Sequence, residues 1–193
     1  MNSLSKLKQH IRRGKPFRRK DLEAYTGSVD RQIKELLSHG IIRKVSQGLY
    51  YRPKKTRFGE LPPDENALLK AFLNNNPFLV VPDISFNNLG LGLTQLSKQV
   101  KVYNHKIHGK KTLGGRQYLF HKKLCFPKLL TKEFLLVELL NEKDNLAEDI
   151  SSLDKRVALQ LPSFNQQRLL KLAEQHGNSK TKQLLQQLLV MNK

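Results

Sequence analysis

Apolar positions recur with helical spacing through the first forty residues. Leu4, Leu7 and Ile11 stand at i, i+3 and i+7, which predicts a short amphipathic helix over residues 3–13, capped by Ser3 and ended by Gly14 and Pro16. Leu22 and Tyr25 share one face of a second short helix, Lys20 to Tyr25, and Gly27 makes the turn that follows. Ser28 is placed to cap a third helix, whose stripe is Val29, Ile33, Leu36 and Leu37. Gly40 ends that helix as a left-handed residue. The period then changes to strand-like in Ile41–Val45 and Leu49–Arg52, with Ser46-Gln47-Gly48 as a hairpin tip, and Phe17 can add a short strand to this sheet.

Beyond Arg52 the pattern is interrupted. Residues 53–64, PKKTRFGELPPD, read as a linker by composition and set a domain boundary at Arg57. Asp64–Leu73 is helical and is broken by Asn74-Asn75-Asn76-Pro77. Phe78–Val81 is a strand, Asp83–Leu89 a short helix, and Val100, Val102 and Tyr103 open another strand. His108–Lys111 reads as a turn, Gly114-Gly115 as a hairpin turn, and Arg116–Lys122 as a strand. Residues 64–125 thus form a small α+β unit. The remainder, 131–191, is helical: Lys132–Asn141, Leu153–Leu161, Phe164–Gln175 behind Ser163, and Lys180–Met191 with the stripe Leu184, Leu185, Leu188 and Leu189. The fold class is α+β, with domains 1–57 and 58–193.

Helix, turn, helix, hairpin is the element order of a winged helix-turn-helix, in which the second helix of the pair enters the major groove. With the stripe inward, the outward arc of that helix carries Ser28, Arg31, Lys34, Glu35 and Ser38. Arg31 suits a bidentate pair with a guanine edge and Lys34 a phosphate. The hairpin adds Arg43, Lys44 and Gln47, and the chain runs on into Lys54, Lys55 and Arg57. The competing reading is a helical hairpin with an ordinary solvated basic face.

Charge favours the first reading. The chain carries 35 Lys and Arg against 16 Asp and Glu, a net charge of +19. Residues 1–57 hold 16 of the basic residues and only 4 acidic ones, whereas residues 131–193 hold 9 and 8. A polyanion is the partner such a segment fits, and double-stranded DNA is the expected one. Arg12, Arg13, Arg18, Arg19 and Lys20 extend the basic surface toward phosphates. The single cysteine, Cys125, forbids an internal disulfide and reads as a small buried hydrophobe. No run is long and apolar enough to span a membrane, and a cytoplasmic location is expected. The chain holds no HExxH, CxxC pair or phosphate-binding loop, and Gly90-Leu91-Gly92 is a lone glycine pair. His105, His108 and His121 lack convergent carboxylates or cysteines, so no metal, no cofactor and no enzyme activity are expected.

One ordered set of residues resembles a known family. Arg31 to Leu37, Gly40-Ile41-Ile42-Arg43, Gly48-Leu49-Tyr50-Tyr51, the basic run Pro53 to Gly59 and Leu61-Pro62-Pro63 follow one another as in the AbiE-type abortive-infection antitoxins of type IV toxin–antitoxin systems. Val81-Pro82, Asn88 to Leu91 and Gly114-Gly115-Arg116 extend the likeness, which runs from about Lys6 to Lys123. The resemblance implies a winged helix that binds operator repeats and represses its own operon. It also implies a C-terminal domain that counters a nucleotidyltransferase-like toxin, with or without touching it. DNA contact carries over to Ser28, Arg31, Lys34, Arg43, Lys44 and Gln47. A monomer or weak dimer is expected. Alternatives are a nucleic-acid-binding accessory protein of a mobile element and an RNA-binding or RNA-modifying protein.

Overall fold

Leu7 and Ile11 are buried side by side on the first helix, α1 (Ser3–His10), and the turn after it. A computed structural model describes residues 3–93, 99–145 and 152–191 of the chain, which is mixed α+β with three sheets among those residues. The side chains of Ser3 and Leu4, and Thr94-Gln95 after the glycine pair, lie outside the described parts. Two units are distinguished: Met1–Pro77 with Lys110–Tyr118, and Phe78–Gly109 with Leu119–Lys193. The division therefore falls at Pro77 instead of Arg57.

In the first unit β1 (Pro16–Arg18) leads into a single 3-10 turn, Arg19–Leu22, where an α-helix to Tyr25 was expected. The turn closes with Glu23 N–H on Lys20 O (3.2 Å) and Tyr25 N–H on Leu22 O (3.0 Å). These bonds span three residues, not the four of an α-helix. Helix α2 (Val29–Ser38) buries Val29, Ile33 and Leu36, with Leu37 partly buried beside them. Gly40, at φ +64°, lets Ile41 N–H reach Leu36 O (2.9 Å) and its own N–H reach Leu37 O (3.0 Å), the paired bonds of a Schellman cap. Strands β2 (Arg43–Ser46) and β3 (Leu49–Tyr51) follow, and β1 joins them antiparallel in the order β1-β3-β2. Leu7, Ile11, Leu22, Val29, Ile33, Leu36 and Ile42 form this unit's core.

The stretch read as a linker is a second hairpin. β4 (Lys54–Thr56) pairs antiparallel with β5 (Gly59–Leu61), so Arg57 lies in its turn. All six strand residues are exposed, and no alternation of apolar residues marks them in the sequence. Helix α3 (Glu65–Phe72) starts at Asp64, whose side chain accepts the Ala67 N–H at 2.8 Å, and lies against β1.

The second unit starts with β6 (Phe78–Pro82), a 3-10 segment Asp83–Leu89 and β7 (Val100–Asn104). β8 (Gly109–Leu113) occupies the stretch read as a turn at His108–Lys111, and Gly114-Gly115 turns it into β9 (Arg116–Lys122); from Lys110 to Tyr118 this hairpin is counted with the first unit. The sheet order is β6-β7-β9-β8, with β6 and β7 antiparallel and β7 and β9 parallel. Helix α4 (Lys132–Asn141) is buried from Glu133 to Leu140. Around it stand α5 (Leu153–Gln160), α6 (Gln166–His176) and α7 (Ser179–Met191). Asn165, not Ser163, caps α6, accepting the Arg168 N–H at 2.9 Å. On this helix Leu169 and Ala173 are buried and Leu170 is exposed.

Leu36 is fully buried and Leu159 is 80% exposed. Leu36→Ala should lower stability by about 2–5 kcal/mol through the cavity it leaves. Leu159→Ala should change it by less than about 0.5 kcal/mol. Urea unfolding of the two variants beside the parent checks the contrast.

Candidate functional site

The strongest concentration of unshielded cations lies in the first unit. Because Val29, Ile33 and Leu36 face the core, Arg31, Lys34 and Ser38 are left on the exposed arc of α2. Arg31 and Lys34 are three residues apart and so share a face. Lys44 on β2 and Gln47 at the hairpin tip are exposed as well, as are Lys54 and Lys55 on β4 and Arg57 beyond them. Ser28 is exposed, but its hydroxyl makes no cap bond to α2. It lies 3.4 Å from the Thr26 hydroxyl, which accepts the Ser28 N–H at 3.2 Å.

Three other arginines among residues 1–57 are tied down. Arg19 grips Asp30 at both carboxylate oxygens (2.6 and 2.7 Å) and also reaches Glu23 (2.5 Å). These bonds raise the Arg19 guanidinium and lower the Asp30 carboxyl from their ordinary values. They also tie the 3-10 turn to the first turn of α2, so the helix start is aimed by a salt bridge. Arg43 is bidentate to Glu60 (3.1 and 2.9 Å) and donates to Gly40 O (3.1 Å). It therefore joins the hairpin β4–β5 to β2, where the sequence alone suggested a free DNA contact. Arg52 donates to Lys8 O (2.9 Å) and Ile11 O (3.2 Å), closing the carbonyl end of α1. Beside it opens a cleft of about 250 Å³ lined by Arg13, His39, Gly40, Ile41, Arg52, Pro53 and Lys55. Sequence reasoning missed this cleft, since its lining comes from three separate segments.

A different polar cluster lies inside the second unit. Glu138, on the buried face of α4, accepts the Lys123 ammonium at 2.9 and 3.0 Å and the Tyr103 hydroxyl. Lys101 bonds to Glu142 and stands 3.7 Å from Asp83. Burial, followed by the charge of Glu138, raises the Tyr103 phenol, which stays protonated. The network fastens β7 and the segment after β9 to α4, and both of its lysines are paired with carboxylates. His121 rests edge-on against Tyr103 and His108, and His105 stacks on Phe126. Among the described residues no group of three or more His, Cys, Asp or Glu is arranged to hold a metal. Cys125 is exposed rather than buried, in a loop that also exposes Leu124 and Leu129. The apolar neighbour Phe126 turns inward in its place.

The second unit should weaken in mild acid. His121 and His176 are both held below the ordinary histidine value of 6.5, chiefly by burial. Unfolded, each takes up a proton near pH 6.5; folded, each does so only at lower pH, so the unfolded chain binds more protons in that window. Stability should fall as pH drops from about 7.5 to 5.5, and His121→Asn should reduce the fall. The lowered carboxylate Glu133 acts below its ordinary value of 4.5, outside this window. Urea midpoints at the two pH values, for parent and variant, measure the difference; an equal fall in both assigns it elsewhere.

No family model and no curated protein matches the sequence. Among solved structures, the chain is similar to the crystal structure of the Rv2827c protein from Mycobacterium tuberculosis, with a TM-score of 0.58 and 14% identity. The similarity covers 98% of this chain and 75% of that one. At this identity it speaks to the fold alone. No helix among the described residues is long and apolar enough to cross a membrane.

Proposed function

We propose that the protein is a DNA-binding transcriptional regulator whose first unit works as a winged helix-turn-helix. The 3-10 turn and α2 act as the helix pair, and the β2–β3 hairpin is the wing. The observation that carries the reading is the exposed arc of α2, where Arg31 and Lys34 stand free in solvent while the nearby acid Asp30 is neutralised by Arg19. In this docking Arg31 reads a guanine edge and Ser28 and Lys34 meet the flanking backbone. Lys44 and Gln47 of the wing, with Lys54, Lys55 and Arg57, lie along phosphates. Arg43 supports the surface through Glu60 and is not itself a contact. The resemblance described above extends the reading to an autorepressing antitoxin of an abortive-infection system, acting in the cytoplasm as a monomer or weak dimer on operator repeats. The partner it would counter is a nucleotidyltransferase-like toxin.

Arg31→Ala should weaken binding to a preferred duplex more than to a scrambled one, by about 1–3 kcal/mol of lost discrimination. Fluorescence anisotropy on both duplexes decides it; equal losses reduce Arg31 to a phosphate contact. The free cations also set a salt dependence. If about six of Arg12, Arg13, Arg18, Lys20, Lys44, Lys54, Lys55 and Arg57 meet phosphates, log affinity should fall with log salt at a slope near −5. Lys44→Ala and Lys54→Ala should each shallow that slope by about one and weaken all duplexes alike. A parent slope near −1, unchanged in these variants, would sink the DNA reading of the unit.

A further inference from the structure

The hairpin β4–β5 ends in Arg57-Phe58, and Phe58 is 86% exposed. An aromatic ring left this far in water is held there by its turn. Thr56 Oγ1 donates to Gly59 O (3.0 Å) and accepts the Phe58 N–H (3.2 Å), so the apex is bonded to itself and not to a core. The Arg57 guanidinium lies over the ring, 4.8 Å from its centre, so cation and aromatic are presented together. Lys54 and Lys55 are exposed on the strand leading to the apex. The ribbon's one acid, Glu60, is occupied by Arg43, which also anchors the ribbon to β2. The result is a short, anchored, cationic ribbon with an apolar tip.

Such a tip suits a duplex minor groove. Three residues per strand extend about 10 Å at 3.3 Å each, against a groove about 7.5 Å deep. Resting on the DNA-binding reading of the first unit, we propose that Phe58 is a wedge. It inserts between base pairs from the minor groove, with Arg57, Lys54 and Lys55 on the flanking phosphates. Apolar wedges of this kind unstack a base step and kink the duplex toward the major groove. The cations around the ring favour this polyanion over an apolar protein partner.

The test uses the full chain and a duplex of about 30 base pairs containing TA steps, which kink readily, with donor and acceptor dyes at its ends. Binding of the parent protein should raise end-to-end energy transfer, as expected for a bend of about 20–90°. Phe58→Ala should bind about tenfold more weakly and leave the saturated duplex unbent, while Phe58→Leu, still an apolar wedge, should keep the bend. Position 58 lies outside the core, and matching circular dichroism spectra establish that the variants are folded. Saturation by the parent without a bend, or a bend by Phe58→Ala equal to the parent's, overturns the wedge and leaves the DNA reading standing. A loss in Phe58→Ala confined to single-stranded DNA of the same sequence also overturns it, since Phe58 would then stack on unpaired bases. If the parent binds no duplex at all, the wedge and the reading beneath it both fall.

Discussion

Burying one side of α2 is the constraint from which the first unit follows. Val29, Ile33 and Leu36 must leave water together, and Leu7, Ile11, Leu22 and Ile42, edged by Phe17 and Tyr50, offer them a core. Once that face is fixed, the opposite arc has no freedom, because residues 100° apart around a helix cannot be chosen independently. Arg31 and Lys34 are therefore outward for the same reason that Ile33 and Leu36 are inward. The Schellman cap at Gly40 then reverses the chain within two residues and brings β2 back beside the same core. Hydrophobic burial, acting through helix geometry, thus creates the charged surface as well as the core.

The first unit sorts its many cations into two groups by whether an acid or a carbonyl lies within reach. Arg19, Arg43 and Arg52 each find such a partner and become joints: turn to helix, ribbon to strand, helix end to sheet. The pairs of Arg19 and Arg43 are substantially exposed, with Arg side chains 40% and 44% accessible, so solvent screening leaves each little weight in stability. Their value is geometric. Each uses the planar fork of the guanidinium on both oxygens of a carboxylate, which fixes direction as well as distance. Among the described residues, the lysines of this unit have no such partner and keep their charge for solvent or for a polyanion.

The second unit solves a different problem. Helix α4 is buried all round, yet it carries Glu133 and Glu138 in its buried stretch. Each is accommodated by bonds from outside the helix: the Asn165 N–H at 3.2 Å for Glu133, and Lys123 with Tyr103 for Glu138. Removing one member would leave a buried charge unpaired, which costs far more than the intact pair contributes. The network therefore specifies which strand segments face α4 and at what register.

Elements with a strong local period were legible in the sequence. The bounds of α4 and β9 match the expected spans, α2 and α3 match closely, and the Gly114-Gly115 turn stands where it was read. Backbone geometry alone imposes those periods on any buried face, so they survive in a bare sequence. The arc of α2 was readable for the same reason, and Arg31 and Lys34 with it. What escaped has no period to display. The exposed hairpin β4–β5 buries no face and so looked like a Pro-rich linker, which hid both the apex at Phe58 and the unit's continuation to Pro77. The partner of Arg43 is 17 residues away, and that of Tyr103 is 35. Helical and strand character were settled by the nearest few side chains. Which cations stay free, which carboxylates are buried and which aromatic is left in water were settled by the tertiary structure, because charge pairing and burial depend on residues that only folding brings within a few ångströms.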